Sequence, residues 1–309
     1  MALYLVSGGA GFIGSHIVER LLGRGDQVRI VDDFSSGKRE NVPASAELIE
    51  GDIADPSVCA RAAAGCQFVI HEAAIPSVPR SVKDPVGSHR ANVEGTLNML
   101  VAARDAGVKR LIFAGSSAVY GDAAVLPKRE DMRPSPLSPY ALQKLIGEQY
   151  LQMFTRLYGL ETVTTRYFNV FGPRQQPGSP YSGVISLFID ALSSGQSPMV
   201  HGDGKQTRDF TFVSDVVTGV LRCCEAPNVS GEVINVAAGG RISLLDLIRT
   251  LQAILKQHAA PTFGPPREGD VRDSQADISK ARKLLDFNPT MSFEDGLART
   301  VAWFASRKA

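Results

Sequence analysis

The stretch SPYALQKLIGEQY, Ser138 to Tyr150, sets a phenol and an ammonium four residues apart, at Tyr140 and Lys144. On a helix that spacing puts both on one face, a turn apart, where they can serve one site. A phenol with a pKa near ~10 is a poor base at neutral pH, but a neighbouring ammonium and a helix N-terminus both favour the phenolate. Ser138 and Pro139 suit an N-cap and a first helical position, so Tyr140 falls in the first turn. Upstream, RLIFAGSSAVYG ends a strand-like run in Ser116 and Ser117, and an open α/β sheet presents such residues at the carboxyl edge where it binds ligands. Tyrosine and lysine are common on helix surfaces, and Glu148 would be an ordinary surface partner for Lys144. The strand-end serine and a glycine turn near the N-terminus tip the pair towards a catalytic phenol with Lys144 as its tuning group.

That turn is SGGAGFIGSHIVERL, with Gly8, Gly11 and Gly14 between a first strand and a first helix. Backbone without Cβ lets a pyrophosphate approach the amides at the helix N-terminus and lets helix pack closely on strand. Asp32 follows 18 residues after Gly14, at the end of the second strand. A carboxylate there accepts the adenosine ribose hydroxyls and repels a 2′-phosphate, which favours NAD over NADP. Asp33 either shares that contact or is solvated, and Asp52 and Ile53 either meet the adenine or only form a turn.

The elements that must position these groups are short β-branched runs alternating with helical patterns: 3–6, 27–32, 47–52, 67–71, 110–115 and 162–168. Apolar strands separated by helices imply parallel pairing with both sheet faces covered. The expected fold is therefore α/β, a Rossmann-type doubly wound parallel sheet with a smaller C-terminal α/β substrate lobe. Residues 1–168 form the dinucleotide-binding unit, rejoined by about 211–238 through the strand-like EVINVAAG. The Pro/Gly-rich FGPRQQPGSPYSG marks the boundary, so 169–210 and 239–309 make up the second lobe.

The chain has 309 residues, 44% hydrophobic and 21% charged, with a formal charge of +1, which gives no electrostatic case for a nucleic acid or an anionic membrane as partner. MALYLVSGGAG lacks a basic region before a sustained apolar run, and later apolar stretches are broken well short of a span, so a cytoplasmic protein is expected. Cys59, Cys66, Cys223 and Cys224 form no paired motif and are expected as buried thiols; the five histidines lack ligand spacing and no metal is assigned. His71, at a strand end, is expected to be packed or hydrogen-bonded.

In order, GGAGFIG, Asp32, SSAVYG, SPYALQK and RYFNVFGPRQ resemble the extended short-chain dehydrogenase/reductase superfamily, specifically its nucleotide-sugar 4-epimerases, along essentially the whole chain. Ser7 stands where a threonine is often found. The resemblance implies that Tyr140 takes the proton from the sugar 4-hydroxyl, that Ser116 hydrogen-bonds the same oxygen, and that Lys144 holds the nicotinamide ribose and depresses the tyrosine pKa. NAD+ would accept hydride from carbon 4, and the 4-keto sugar would turn and regain it on the other face. Gly8, Gly11, Phe12, Ile13, Gly14, Asp32, Asp33, Asp52, Ile53, Ala73, Asn92 and Tyr167 are implied as further cofactor contacts.

On the substrate side the resemblance implies a UDP-sugar. Asn169 and Gln175 would contact diphosphate or sugar, Arg208 and Arg267 would clamp the diphosphate, and Ser77, Val78, Ser81, Ser117 and Asp270 would lie near the ligand. Rim salt bridges with their acidic neighbours are the lesser alternative for Arg208 and Arg267. Ser274 falls where some relatives carry a tyrosine that excludes N-acetylated sugars, so UDP-N-acetylglucosamine and UDP-N-acetylgalactosamine are the favoured pair, with UDP-glucose and UDP-galactose secondary. Arg80 leaves a uronic acid substrate open. Ser117 and Ala118 replace the Asp-Glu pair of 4,6-dehydratases, which disfavours loss of water. Other NAD-dependent UDP-sugar oxidoreductases or decarboxylases, and a non-catalytic dinucleotide sensor, are the alternatives. The resemblance also implies a homodimer through helices at 92–106 and 140–158.

Overall fold

The structure is a computed structural model and describes residues 1–175, 183–265 and 271–307. The first half alternates strand and helix: β1 Leu3–Ser7, α1 Phe12–Gly23, β2 Gln27–Asp32, β3 Glu47–Glu50, α2 Pro56–Ala63, β4 Phe68–His71, α3 Val78–Lys83, α4 Pro85–His89, α5 Gly95–Asp105, β5 Arg110–Ser116, α6 Pro139–Tyr158 and β6 Glu161–Tyr167. After β7 Asn169–Phe171 come α7 Val184–Ser193, β8 Met199–His201, β9 Thr207–Arg208, β10 Phe210–Phe212, α8 Val213–Glu225, β11 Glu232–Val236, β12 Ile242–Ser243, α9 Leu244–Leu255, β13 Thr262–Gly264, α10 Ser279–Leu285 and α11 Phe293–Ser306.

Seven strands make one parallel sheet in the order β11-β6-β5-β4-β1-β2-β3. The order reverses between β1 and β4, which opens the crevice where doubly wound sheets take ligands. Successive residues of a strand face opposite sides, and both sides are apolar here. Val6, Ile30, Ile70 and Ile112 pack on one face with α1 and α8, while Leu5, Val31, Val69 and Leu111 pack on the other with α2, α5 and α6. Glu232–Val236 pairs with Val163–Tyr167 at the edge of the sheet. The remaining strands form two-stranded pairs, β7 with β10, β9 with β12 and β8 with β13.

Helix α6 begins as its sequence demands. Ser138 is extended and its side chain accepts from the Ala141 N–H at 3.2 Å, Pro139 follows, and Gly159 closes the helix at φ 72°. The helix expected from Asn92 differs: 90–94 wind as a wide π-type turn and regular α-helix starts at Gly95. Gly95 sits against Ile53, where a Cβ would come within 2.6 Å of the isoleucine Cδ1. All four cysteines are buried free thiols. Among the described residues no helix is long and apolar enough to cross a membrane.

Candidate active site

The glycine turn is a cradle in which side chains have no room. A Cβ on Gly14 would lie 2.2 Å from the Gly8 carbonyl oxygen, and one on Gly8, which has φ +70°, would lie 2.7 Å from the Ala73 nitrogen. Gly11 caps α1 with no side-chain bond, and no acid occupies the first turn, so the helix presents bare amides to an anion. Asp32 ends β2 nearly buried, accepting from the Ala10 and Phe34 N–H groups at 2.9 Å each. Each carboxylate oxygen keeps a second lone pair. Burial raises its pKa, and those two amides pull it back down. These residues fit the phosphates and a ribose of a dinucleotide. Phe12 and Ile13 open α1 beside them, partly buried.

Two expected cofactor contacts are bonded within the protein. Asp33 accepts from the N–H and hydroxyl of Ser35, and so closes its own turn. Asn92 is buried and spends its amide on the Ile75 N–H (2.8 Å), the Ile75 carbonyl (3.2 Å) and Gln143 (2.8 Å), which makes it a brace between the loop after β4 and α6. Asp52 receives the Ala54 N–H and pairs with Arg90 at 3.0 Å on the surface, while Ile53 is buried beneath α5.

Ser116 ends β5 and Tyr140 stands in the first turn of α6, its N–H donating to the Ser81 hydroxyl at 3.0 Å. Ser81 in turn donates to the Val78 carbonyl, so the short helix α3 clamps the start of α6. Burial raises the Tyr140 pKa, a hydrogen bond with Ser116 lowers it, and the nearby Glu72 carboxyl raises it. Lys144 is buried, donates to the Ala114 carbonyl at 2.8 Å and lies 4.8 Å above the Phe113 ring. Burial pushes its pKa down to about 8, with Glu72 opposing.

The Lys144 ammonium bonds to β5, and it is Ser116, not the lysine, whose hydrogen bond lowers the Tyr140 pKa. Nor is Lys144 a surface partner of Glu148, which is buried against Arg166 with a 3.0 Å bond from Nε.

A cavity of about 240 Å³ opens beside Ser116, lined by Ser117, Val78, Asn169, Arg208 and Ser274 among the expected residues. Asn169 donates towards the Ser274 hydroxyl at 3.4 Å, which also accepts from the Asp209 N–H. Arg208 donates to the Thr207 and Arg272 carbonyls at 2.9 and 3.0 Å. Ser77 is the N-cap of α3, accepting from the Arg80 N–H. Gln175 is not among the residues that line the cavity, and it donates to the Val170 carbonyl at 3.1 Å. Arg267 and Asp270 lie outside the described residues.

Sequence reasoning missed two groups. Lys128 lines the cavity although it is almost fully buried, its ammonium bonded to the Ala123 carbonyl. Glu72 follows β4 and accepts from the Tyr167 hydroxyl at 2.6 Å, with burial pushing its pKa up to about 7. Glu72 had one available signal, its place one residue beyond a strand of the sheet; Lys128, in a loop, had none. His71 fulfils its expected structural part, bonded to Ser7 at 2.6 Å and Thr96 at 3.0 Å.

The model of the NAD dependent epimerase/dehydratase family matches residues 4–237. A UDP-glucose 4-epimerase of Mycolicibacterium smegmatis is 39% identical over 310 residues, covering 98% of this chain and 98% of that protein. Among solved structures, the UDP-glucose 4-epimerase of Thermotoga maritima with UDP-glucose superposes with a TM-score of 0.96 at 38% identity, over 99% of this chain and 100% of the other. The UDP-N-acetylglucosamine 4-epimerase of Methanobrevibacter ruminantium, in complex with UDP-N-acetylmuramic acid, superposes with a TM-score of 0.95 at 38% identity, over 99% of each chain.

Proposed function

The chain belongs to the NAD dependent epimerase/dehydratase family and is an NAD-dependent UDP-sugar 4-epimerase, and from that premise we propose that its preferred substrates are UDP-N-acetylglucosamine and UDP-N-acetylgalactosamine, with UDP-glucose and UDP-galactose also turned over. Bound NAD+ supplies a reversible acceptor for hydride from carbon 4 of the sugar. Gly8, Gly11 and Gly14 would hold its pyrophosphate at the α1 N-terminus, and Asp32 its adenosine ribose. Tyr140 would remove the proton of the 4-hydroxyl, with Ser116 bonded to the phenol and to the reacting oxygen. Lys144, anchored on Ala114, would reach the ribose at the nicotinamide end.

The observation that carries the substrate reading is Ser274. It is a small residue in the cavity wall beside Asn169 and Ser117, where a bulky side chain would take the space of an acetamido group. Arg208 on the same wall suits a diphosphate oxygen. Ser274→Tyr should cut kcat/KM for the acetylated sugar by at least ~10-fold while sparing UDP-glucose, a loss on the scale of a misfitted group in a shaped pocket. Equal losses for both sugars would remove Ser274 from substrate selection.

We also propose a homodimer through α5 and α6. Leu142, Met153, Leu157 and Tyr158 of α6 are each about half exposed or more, an apolar strip that a second copy's helices would cover.

A further inference from the structure

A dinucleotide whose pyrophosphate sits at the α1 N-terminus and whose adenosine ribose meets Asp32 on β2 must extend the other way across the sheet, over the ends of β4 and β5. Glu72 is the first residue on that path. It lies directly against the glycine turn, since a Cβ on Gly8 would come 3.1 Å from its carbonyl carbon. Its carboxyl is fixed by a partner two strands away: the Tyr167 hydroxyl, from the end of β6, reaches past β5 to donate at 2.6 Å. Glu72 remains partly accessible, whereas Lys144 beside it is buried.

The oxidised nicotinamide ring carries a positive charge and the reduced ring is neutral. Placing that cation near the buried Lys144 ammonium sets two like charges together, which is costly without an anion. Among the described residues, Glu72 is the carboxyl close enough to act on both Lys144 and Tyr140.

We propose that Glu72, positioned by Tyr167, is the counter-ion that makes this protein bind NAD+ in preference to NADH. The inference rests on the cofactor reading above. Tyr167 from β6 and Lys144 from α6 favour the carboxylate, Tyr140 from α6 faces it as a neutral phenol, and its chain neighbour His71 is held neutral by burial. The free carboxyl titrates near neutrality, and a cation beside it favours ionisation, so NAD+ binding expels a proton. Affinity for NAD+ therefore rises with pH across that range, and affinity for NADH does not.

The test is fluorescence or calorimetric titration of the full chain, freed of co-purifying nucleotide, with NAD+ and with NADH between pH ~5.5 and ~7.5, below the pH of about 8 at which Lys144 loses its proton. Native protein should gain roughly tenfold in NAD+ affinity across the range, with proton release measurable in buffers of different ionisation enthalpy. Glu72→Gln should flatten that gain and narrow the preference for NAD+, leaving NADH affinity within about twofold. Tyr167→Phe removes the bond that favours the carboxylate, so its rise in NAD+ affinity should move to higher pH. A Glu72→Gln protein that keeps the native pH dependence, or a Tyr167→Phe protein whose rise does not move, overturns the proposal. Failure of the native chain to bind either nucleotide at any pH would instead overturn the cofactor reading, and the inference with it.

Discussion

At the scale of single residues, the chemistry turns on what sets the protonation of Tyr140. Burial holds the phenol up, and Ser116 is the neighbour that brings it down. Activity that needs the phenolate should rise with pH, since deprotonation makes the base. Ser116→Ala should move the rising limb of the kcat profile to higher pH and lower kcat at neutral pH by ~100-fold, the lower end of what a positioned proton-transfer partner contributes. A lowered but unshifted profile would make Ser116 a contact to substrate alone. Tyr140, Lys144, Ser116, Asp32 and the glycines were legible because local spacing places them: one helical turn, one strand end, one tight turn. Glu72 was not, because its partner Tyr167 lies 95 residues away, and only the strand order brings the two together. The brace made by Asn92 was hidden for the same reason, its amide being bonded to Ile75 and to Gln143 from α6.

The site residues are held in place by the elements that carry them. Helix α6 carries Tyr140 and Lys144 on one face and, a turn later, Glu148, which ties the helix to β6 through Arg166. Both side chains of that pair are almost wholly buried. Removing one partner strands the other charge in the interior, so Glu148→Ala should cost about 3–5 kcal/mol by chemical denaturation. A loss under ~1 kcal/mol would mean the pair is as weak as a surface bridge. The strands could be read from their β-branched runs, and α6 from its apolar period and its Ser-Pro start. The boundary of α5 could not, because the wide turn at 90–94 depends on how the chain packs over Ile53 and Ile75, which no local pattern records.

Across the whole molecule, the sheet's reversal between β1 and β4 puts the glycine cradle, Glu72 and the Ser116–Tyr140 pair along one edge, with the Ser274 cavity closing over it. The far side of α6 is left apolar, and the chain should sediment as a dimer near twice 33.1 kDa, converted towards monomer by Leu157→Glu. A native monomer would leave that strip unexplained. 4-Epimerisation at this edge can be followed directly. Purified protein is incubated with UDP-N-acetylglucosamine, and separately with UDP-glucose, with catalytic NAD+, and the anomeric protons are followed by NMR. The account predicts the galacto epimer without net NADH, faster for the acetylated sugar, and a loss of at least ~100-fold in Tyr140→Phe; no epimer from either sugar while NAD+ still binds would contradict it.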